Sequence, residues 1–219
     1  MLNLKYIDKN KILQIACDGG AATGKTTGAK MISKKYNLSF LSSGLLYRYA
    51  GYLILKDRPK NKISHLKKKF NELKYKNLKK INLHRQEISE ISSKIAKEGK
   101  VRKILKKYQL NFIKKNKNCC IEGRDISTKI LPKSNVKFYF ICSAHIAAKR
   151  RFKELKKANS ALKLVDVKKA LRQRNISDIK RKNSPLLKHR DSIVIDTGKL
   201  RKKAMLKKMT NYVEKILNN

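Results

Sequence analysis

Ile12-Leu13-Gln14-Ile15-Ala16-Cys17-Asp18-Gly19-Gly20-Ala21-Ala22-Thr23-Gly24-Lys25-Thr26-Thr27 is the stretch that decides the fold. Its first six residues are short, apolar and bounded by charge, the signature of a strand buried on both faces. The loop Gly19-Gly20-Ala21-Ala22-Thr23-Gly24-Lys25-Thr26 fits G-x-x-x-x-G-K-[ST], and an amphipathic helix is predicted over Lys25–Tyr36. Strand, small-residue loop and helix in that order form a phosphate cradle. Small residues let backbone N–H groups curl around phosphate oxygens without Cβ clashes, and the new helix N-terminus adds partial positive charge. Lys25 is placed to reach the β- and γ-phosphates, with a hydroxyl from Thr26 or Thr27 near Mg²⁺. An ordinary strand-to-helix turn would account for the glycines but not for a Lys-Thr pair at this spacing. The loop therefore indicates a nucleoside triphosphate without naming the reaction.

Working outward, further strands are expected at Ser39–Leu41, Cys119–Glu122, Val136–Cys142 and Ile193–Asp196. Helices are expected at Gly44–Leu55, Ile88–Lys114, His145–Lys157 and Lys199–Leu217, the last with Leu200, Ala204, Met209, Val213 and Ile216 near one face. Strands alternating with helices predict an α/β fold with a parallel sheet and helices on both faces. Two lysine-rich segments, Lys56–Leu83 and Lys149–Arg190, interrupt the alternation and read as insertions at the sheet's edge. The second carries two basic helical pieces separated near Ala158–Lys163. Cys17, Cys119, Cys120 and Cys142 lie in or beside apolar runs without zinc spacing, so they are expected reduced and buried.

The 219 residues suit one domain with inserts, and at 41% hydrophobic they can bury a core. No run approaches the length of a membrane span, and Met1–Asn10 lacks an apolar signal core, so export is not expected. The 57 Lys+Arg against 15 Asp+Glu leave a formal charge of +42, which invites a nucleic-acid reading. Yet Lys (45), Asn (17) and Ile (22) are all drawn from A- and T-rich codons, and Lys outnumbers Arg 45 to 12. A genome-wide codon bias toward A and T would produce this composition whatever the protein does.

The acceptor side is written in three further segments. Leu41-Ser42-Ser43-Gly44-Leu45-Leu46-Tyr47-Arg48 joins a strand end to a helix and offers hydroxyl, backbone and guanidinium donors for a second phosphate. Glu122-Gly123-Arg124-Asp125 again lies just past a strand. Arg174, Asp178 and Arg181 recur at i, i+4 and i+7 on a predicted helical face, followed by Pro185-Leu186. An Arg-Asp pair at i, i+4 is usually a surface ion pair of small value. All these segments together, in order, are a constellation.

With these residues in view, the chain resembles the bacterial cytidylate kinases, a branch of the nucleoside-monophosphate kinases, over nearly its whole length. The family's D-G-x-x-x-x-G-K-x-T is similar to Asp18 through Thr27, its D-S-G-x-x-Y-R to Ser42–Arg48, and its G-R-D-x-x-T to Gly123–Thr128. Its S-x-v-A and V-R pieces match Ser93–Ala96 and Val101-Arg102, and its closing R-x-x-x-D-x-x-R-x-x-x-P-L matches Arg174, Asp178, Arg181, Pro185 and Leu186.

The resemblance implies a P-loop NTPase-type three-layer fold with a five-stranded parallel sheet. It implies a core of residues 1–55, 99–148 and 191–219, an NMP-binding insertion at 56–98 and a mobile lid at 149–190. The implied reaction moves the γ-phosphoryl group of ATP to CMP or dCMP, with Mg²⁺. The implied catalytic residues are Lys25, Arg124, Arg174 and Arg181. Gly19, Gly20, Ala21, Ala22, Thr23, Gly24, Lys25, Thr26 and Thr27 would hold ATP, together with Arg150 and Arg151 on the lid. Ser43, Arg48, Arg124 and Arg181 would hold the acceptor's phosphate; Ser93 and Arg102 would read the cytosine edge; Asp125 and Asp178, with Arg174, would serve the ribose and its surroundings. A cytoplasmic monomer with neither membrane nor specific nucleic-acid partner is the expectation.

The sequence departs from the family at Ser42, which replaces an acidic residue, and at Phe70–Leu83, where members carry a small antiparallel sheet but the alternation here is weak. Two other classes compete: another small-molecule P-loop kinase, and a polyanion-binding protein. The first requires the Arg174–Arg181 spacing to be coincidence. The second lacks a recognised RNA module, and the chain has no Trp and 15 Tyr and Phe together for stacking.

Overall fold

The computed structural model describes residues 11–156 and 162–218. The reading of Met1–Asn10, and most of the predicted break between the two basic helical pieces, lie outside these residues. Five strands, β1 (Gln14–Gly19), β2 (Ser39–Ser42), β3 (Cys119–Gly123), β4 (Val136–Ile141) and β5 (Ile193–Asp196), form one sheet in the order β2-β3-β1-β4-β5. The pairs β1–β3, β1–β4 and β4–β5 are parallel. Each predicted strand is present within two residues of its expected ends. The chain divides into two compact units, one drawn from Met1–Leu41 and Asn116–Asn219, the other spanning Ser42–Lys115.

In the first unit β1 is central, so the loops leaving β1 and β3 emerge side by side. Alternation along the strands sorts side chains by face. Ile15, Cys17, Cys120, Val136, Phe138 and Phe140 join one core with Ala29 and Ile32 of α1 (Lys25–Lys35) and with Tyr36, which caps its C-terminus. Met205, Leu206, Met209 and Val213 of α8 (Lys202–Leu217) complete it. This corrects the expected face of the last helix: Ala204 and Ile216 are exposed, and Leu200 precedes the helix. Its apolar stripe follows Met205-Leu206, Met209 and Val213 instead. Gly28 shows how closely α1 meets β4, since a Cβ there would lie 2.6 Å from the Phe140 ring. Cys17, Cys119 and Cys120 are buried and Cys142 is half-buried, all as free thiols. On this unit α6 (Ala144–Lys156) and α7 (Leu164–Lys180) account for the two basic helical pieces.

The second unit is helical: α2 (Ser43–Asp57), α3 (Lys62–Glu72), a 3₁₀ turn at Tyr75–Lys80, α4 (Gln86–Ile95) and α5 (Gly99–Lys115). Among the described residues it holds no strand beyond Ser42, the last residue of β2. The lysine-rich stretch makes a helix because Asn61 caps it, accepting from Ser64 N at 3.1 Å, and Leu66 and Phe70 at i, i+4 supply its buried contact. The single helix expected over Ile88–Lys114 is two. α4 ends at Ala96 with tight i→i+3 bonds, Lys97 N donating to Lys94 O and Glu98 N to Ile95 O, and α5 restarts at Gly99. The apolar period continues across this break, which is why periodicity alone reads it as continuous.

Candidate active site

The cradle is built by backbone geometry at the end of β1. Gly19 (φ +151°) and Gly24 (φ +82°) occupy the left-handed region, and a Cβ on Gly19 would lie 2.4 Å from the Phe140 carbonyl oxygen. Ala22 sits at φ +57° despite its Cβ, a strained conformation of the kind concentrated in ligand loops. Gly24 is the N-cap of α1 and offers no side-chain acceptor, so the first-turn N–H groups are left for a ligand. Thr26 and Thr27 are half-buried in that turn. Lys25 is 7% exposed; its Nζ donates to Gly20 O at 3.2 Å and lies 3.8 Å from Glu122 Oε2. Glu122 reaches Lys25 because strand alternation points it to the α1 side of the sheet. Burial, reinforced by the Arg124 charge, lowers the Lys25 pKa to about 7.

Asp18 points to the opposite face. Fully buried, it accepts from Ile126 N (2.8 Å), Ser127 N (2.7 Å) and Ser127 Oγ (2.5 Å). It thereby pins the π-helical turn Ile126–Ile130, and with it the segment Gly123-Arg124-Asp125, beside the cradle. Burial raises its pKa, with the three hydrogen bonds opposing.

Four cations gather in this unit. Asp178 divides its carboxylate between two of them: Oδ2 accepts from Arg124 Nε at 2.9 Å and Oδ1 from Arg181 Nη1 at 3.3 Å. Burial alone would raise the Asp178 pKa, but Arg124, Arg174 and Arg181 together bring it below the usual value. Arg181 lies one residue beyond α7, in extended backbone rather than on the helical face expected of it, and turns back to Ser184 O (2.7 Å) and to Asp125 (3.9 Å). Arg174 has a buried Nε with no hydrogen-bond partner among the described residues. Burial and the neighbouring Arg124 charge lower its pKa to about 10. Buried donors are normally paired; this one, among like charges, suits an incoming polyanion.

Arg150 and Arg151 are consecutive residues of α6. Arg150 donates to Thr197 Oγ1 and Thr197 O, both at 2.8 Å, and Thr197 Oγ1 donates to Thr23 O at 2.7 Å. Arg151 pairs with Glu154 at 3.0 Å. Two α7 side chains reach the loop itself. Leu171 packs with Ala21, Ala147, Ala148 and Val167, and Asn175 Oδ1 accepts from Ala21 N at 3.0 Å.

In the second unit, Ser42 caps α2 by accepting from Leu45 N at 3.2 Å. Ser43 Oγ accepts from Gln109 Nε2 at 2.8 Å, and Arg48 donates to Leu83 O (3.0 Å) and Ser89 Oγ (2.6 Å). Arg102 is buried, donates to Ala96 O at 3.1 Å and lies 5.5 Å over the Tyr47 ring. Ser93 is half-buried on α4.

The first unit thus brings together Gly19–Thr27, Arg124, Asp125, Arg150, Arg174, Asp178 and Arg181, and the second holds Ser43, Arg48, Ser93 and Arg102. Sequence reasoning missed Glu122, Asn175, Thr197 and the positioning role of Asp18. Charges at the buried ends of β1 and β3 were a readable signal for Asp18 and Glu122. Asn175 and Thr197 gave none, since nothing local distinguishes a cradle contact from a solvated amide or hydroxyl.

The family model for cytidylate kinase matches residues 15–215. The cytidylate kinase of Bartonella tribocorum is 35% identical over 208 residues, covering 93% of this chain and 95% of the relative. That of Rickettsia rickettsii (strain Sheila Smith) is 31% identical over 97% of both chains. Among solved structures, a shikimate kinase from Bacteroides thetaiotaomicron has a TM-score of 0.53 at 10% identity, covering 93% of this chain and 99% of the other, a likeness of fold. With the cradle, the G-R-D turn and the Arg174–Arg181 segment assembled as described, the chain belongs to the cytidylate kinase family.

Proposed function

We propose that the chain transfers the γ-phosphoryl group of ATP to CMP or dCMP, releasing ADP and CDP or dCDP. Family membership supports the acceptor. The carrying observation is the cation cluster: Lys25, Arg124, Arg174 and Arg181 in one unit, partly offset by Glu122, Asp125 and Asp178. Phosphoryl transfer asks little covalent chemistry of a protein; it asks for positioned positive charge around two phosphates. An oxygen of the acceptor's phosphate attacks the γ-phosphorus as the bond to the ADP oxygen breaks in line.

In this reading Gly19–Thr27 hold the triphosphate, Lys25 contacts its β- and γ-phosphates, and Arg150 and Arg151 serve the ATP side from α6. Arg124 and Arg181 neutralise charge during transfer, and Ser43 and Arg48 are assigned to the acceptor's phosphate. Ser93 and Arg102 read the cytosine edge, while Asp125, Asp178 and Arg174 serve the ribose. Residues 56–98 act as the acceptor-binding insertion and 149–190 as a lid that excludes water.

Among the described residues no cluster of three His, Cys, Asp or Glu could cage a metal. The donors present still fit Mg²⁺, which takes one or two protein ligands and otherwise water and substrate phosphate. Thr26 or Thr27 would hold it, and when bound it neutralises charge on the phosphates. The enzyme is read as a cytoplasmic monomer. A coupled ADP-release assay across CMP, dCMP, UMP, AMP and GMP, with shikimate as a further acceptor, tests the proposal. Turnover with CMP or dCMP is expected, and turnover with AMP or shikimate but not CMP overturns it.

A further inference from the structure

One hydroxyl, that of Thr197, ties the cradle to β4 and to α6. Thr197 is the first residue past β5 and is buried; its N–H donates to Ile141 O, at the end of β4, at 2.9 Å. Gly198 N closes the turn on Asp196 Oδ1 at 2.9 Å, so the backbone here is held on both sides of Thr197. Thr197 Oγ1 donates to Thr23 O at 2.7 Å and accepts from Arg150 Nη1 at 2.8 Å, while Arg150 Nη2 donates to Thr197 O at 2.8 Å. The same side chain covers Gly24: a Cβ there would lie 3.3 Å from Thr197 Oγ1, 3.4 Å from its Cγ2 and 3.5 Å from Arg150 Nη1. Thr23 and Gly24 share a trans peptide, whose C=O and N–H point in opposite directions. Holding the carbonyl on Thr197 therefore turns the Gly24 N–H away from Thr197. Gly24 is the N-cap of α1, so this N–H belongs to the unpaired set at the helix start that receives an anion.

We infer that Thr197 is a positioning residue for the donor nucleotide: it sets the Thr23–Gly24 peptide for phosphate contact and makes Arg150 act on ATP through that peptide. The inference rests on the cradle holding the triphosphate, as proposed above. The chain of donors runs one way, from the Arg150 guanidinium to the Thr197 hydroxyl to the Thr23 carbonyl. Each bond in such a chain polarises the next, so the positive charge of Arg150 strengthens the Gly24 N–H as a donor at a distance. A side chain without a hydroxyl breaks this chain at its middle link while leaving the guanidinium in place.

Thr197→Val keeps the shape of the side chain and removes the hydroxyl, whereas Thr197→Ser keeps the hydroxyl. Thr197→Val is expected to raise the Kd for ADP, by titration calorimetry, about tenfold, the scale of one well-placed hydrogen bond. The KM for ATP should rise alike while the KM for CMP stays within about twofold of the wild type, and Thr197→Ser should bring all three back to within about threefold. Arg150→Met is expected to weaken ADP binding too, but to add less than about threefold in the Thr197→Val background, because the two residues act along one path. Melting temperatures serve as the folding control, with Thr197→Ala as a second way to remove the hydroxyl. Unchanged ADP affinity in Thr197→Val, or Thr197→Ser behaving like Thr197→Val, would overturn the inference. Full additivity with Arg150→Met would show that the guanidinium reaches the nucleotide directly and overturn it as well. Failure of both Thr197→Val and Thr197→Ala to fold would show a structural strut only, with the same consequence. A wild-type protein that binds ADP but shows no CMP-dependent ADP release would instead defeat the functional proposal, so the two failures are distinguishable.

Discussion

Lys25 is held in tension between burial, which favours its neutral form, and the phosphate contact proposed for it, which needs its charge. With its pKa lowered to about 7 in the free protein, against roughly 10.4 in an unfolded chain, the unfolded state binds more protons between these values. Stability contributed by this group therefore rises with pH from about 7 to about 10, and below 7 the penalty of burying the ammonium is fully present. A triphosphate reverses the balance by supplying opposite charge. At pH 8, ATP binding is expected to take up protons, read as a difference in calorimetric enthalpy between Tris and HEPES, and Lys25→Met should abolish the difference. Arg181 carries a double role of another kind. It is buried, donates to Ser184 O and shares Asp178 with Arg124. Arg181→Met should lower kcat by about a hundredfold or more and also reduce unfolding stability by about 1–3 kcal/mol, measurable by urea denaturation. A solvent-exposed arginine would affect activity alone; the burial of this guanidinium adds the second effect.

At the scale of elements, local pattern was legible where packing is local, and illegible where it depends on a distant partner. All five strands and the cradle could be read because a buried parallel strand followed by a small-residue loop has few other interpretations. Ser42 was read as a lost acid, yet it performs the capping task a carboxylate would, which is visible only once Leu45 N is seen to donate to it. The break at Ala96–Glu98 and the stripe on α8 escaped because each preserves an apolar rhythm while shifting which residues face the core. Asn175 escaped because its partner lies 154 positions earlier in the chain. The packing of α1 on β4 yields a direct expectation. Gly28→Ala would drive a methyl into the Phe140 ring and to within 3.3 Å of Met209 Sδ. Overpacking of this kind should destabilise by about 1–3 kcal/mol, read as a lower denaturation midpoint with an unchanged m-value.

For the whole molecule, the formal charge of +42 is a physical load even if codon bias wrote it. Spread over one small protein it works against the compact state, and salt relieves it. Raising NaCl from about 20 mM to about 500 mM shortens the screening length from about 20 Å to about 4 Å. The melting temperature is expected to rise by several degrees over that range, and a flat or falling trend would show that the lysines are already compensated. Eight of the 57 basic residues, Lys25 with Arg48, Arg102, Arg124, Arg150, Arg151, Arg174 and Arg181, have a part in the proposed chemistry.

The cysteines give this molecule a built-in gauge of its own integrity. Burial raises the thiol pKa of Cys17, Cys119 and Cys142, Cys119 to about 12, and Cys17, Cys119 and Cys120 are sealed within the sheet. A thiol-specific chromogenic reagent at pH 8 should therefore find at most one reactive group, Cys142, in the native protein and four in urea. Every opening of the central sheet is then countable by colour, without a label or an engineered probe.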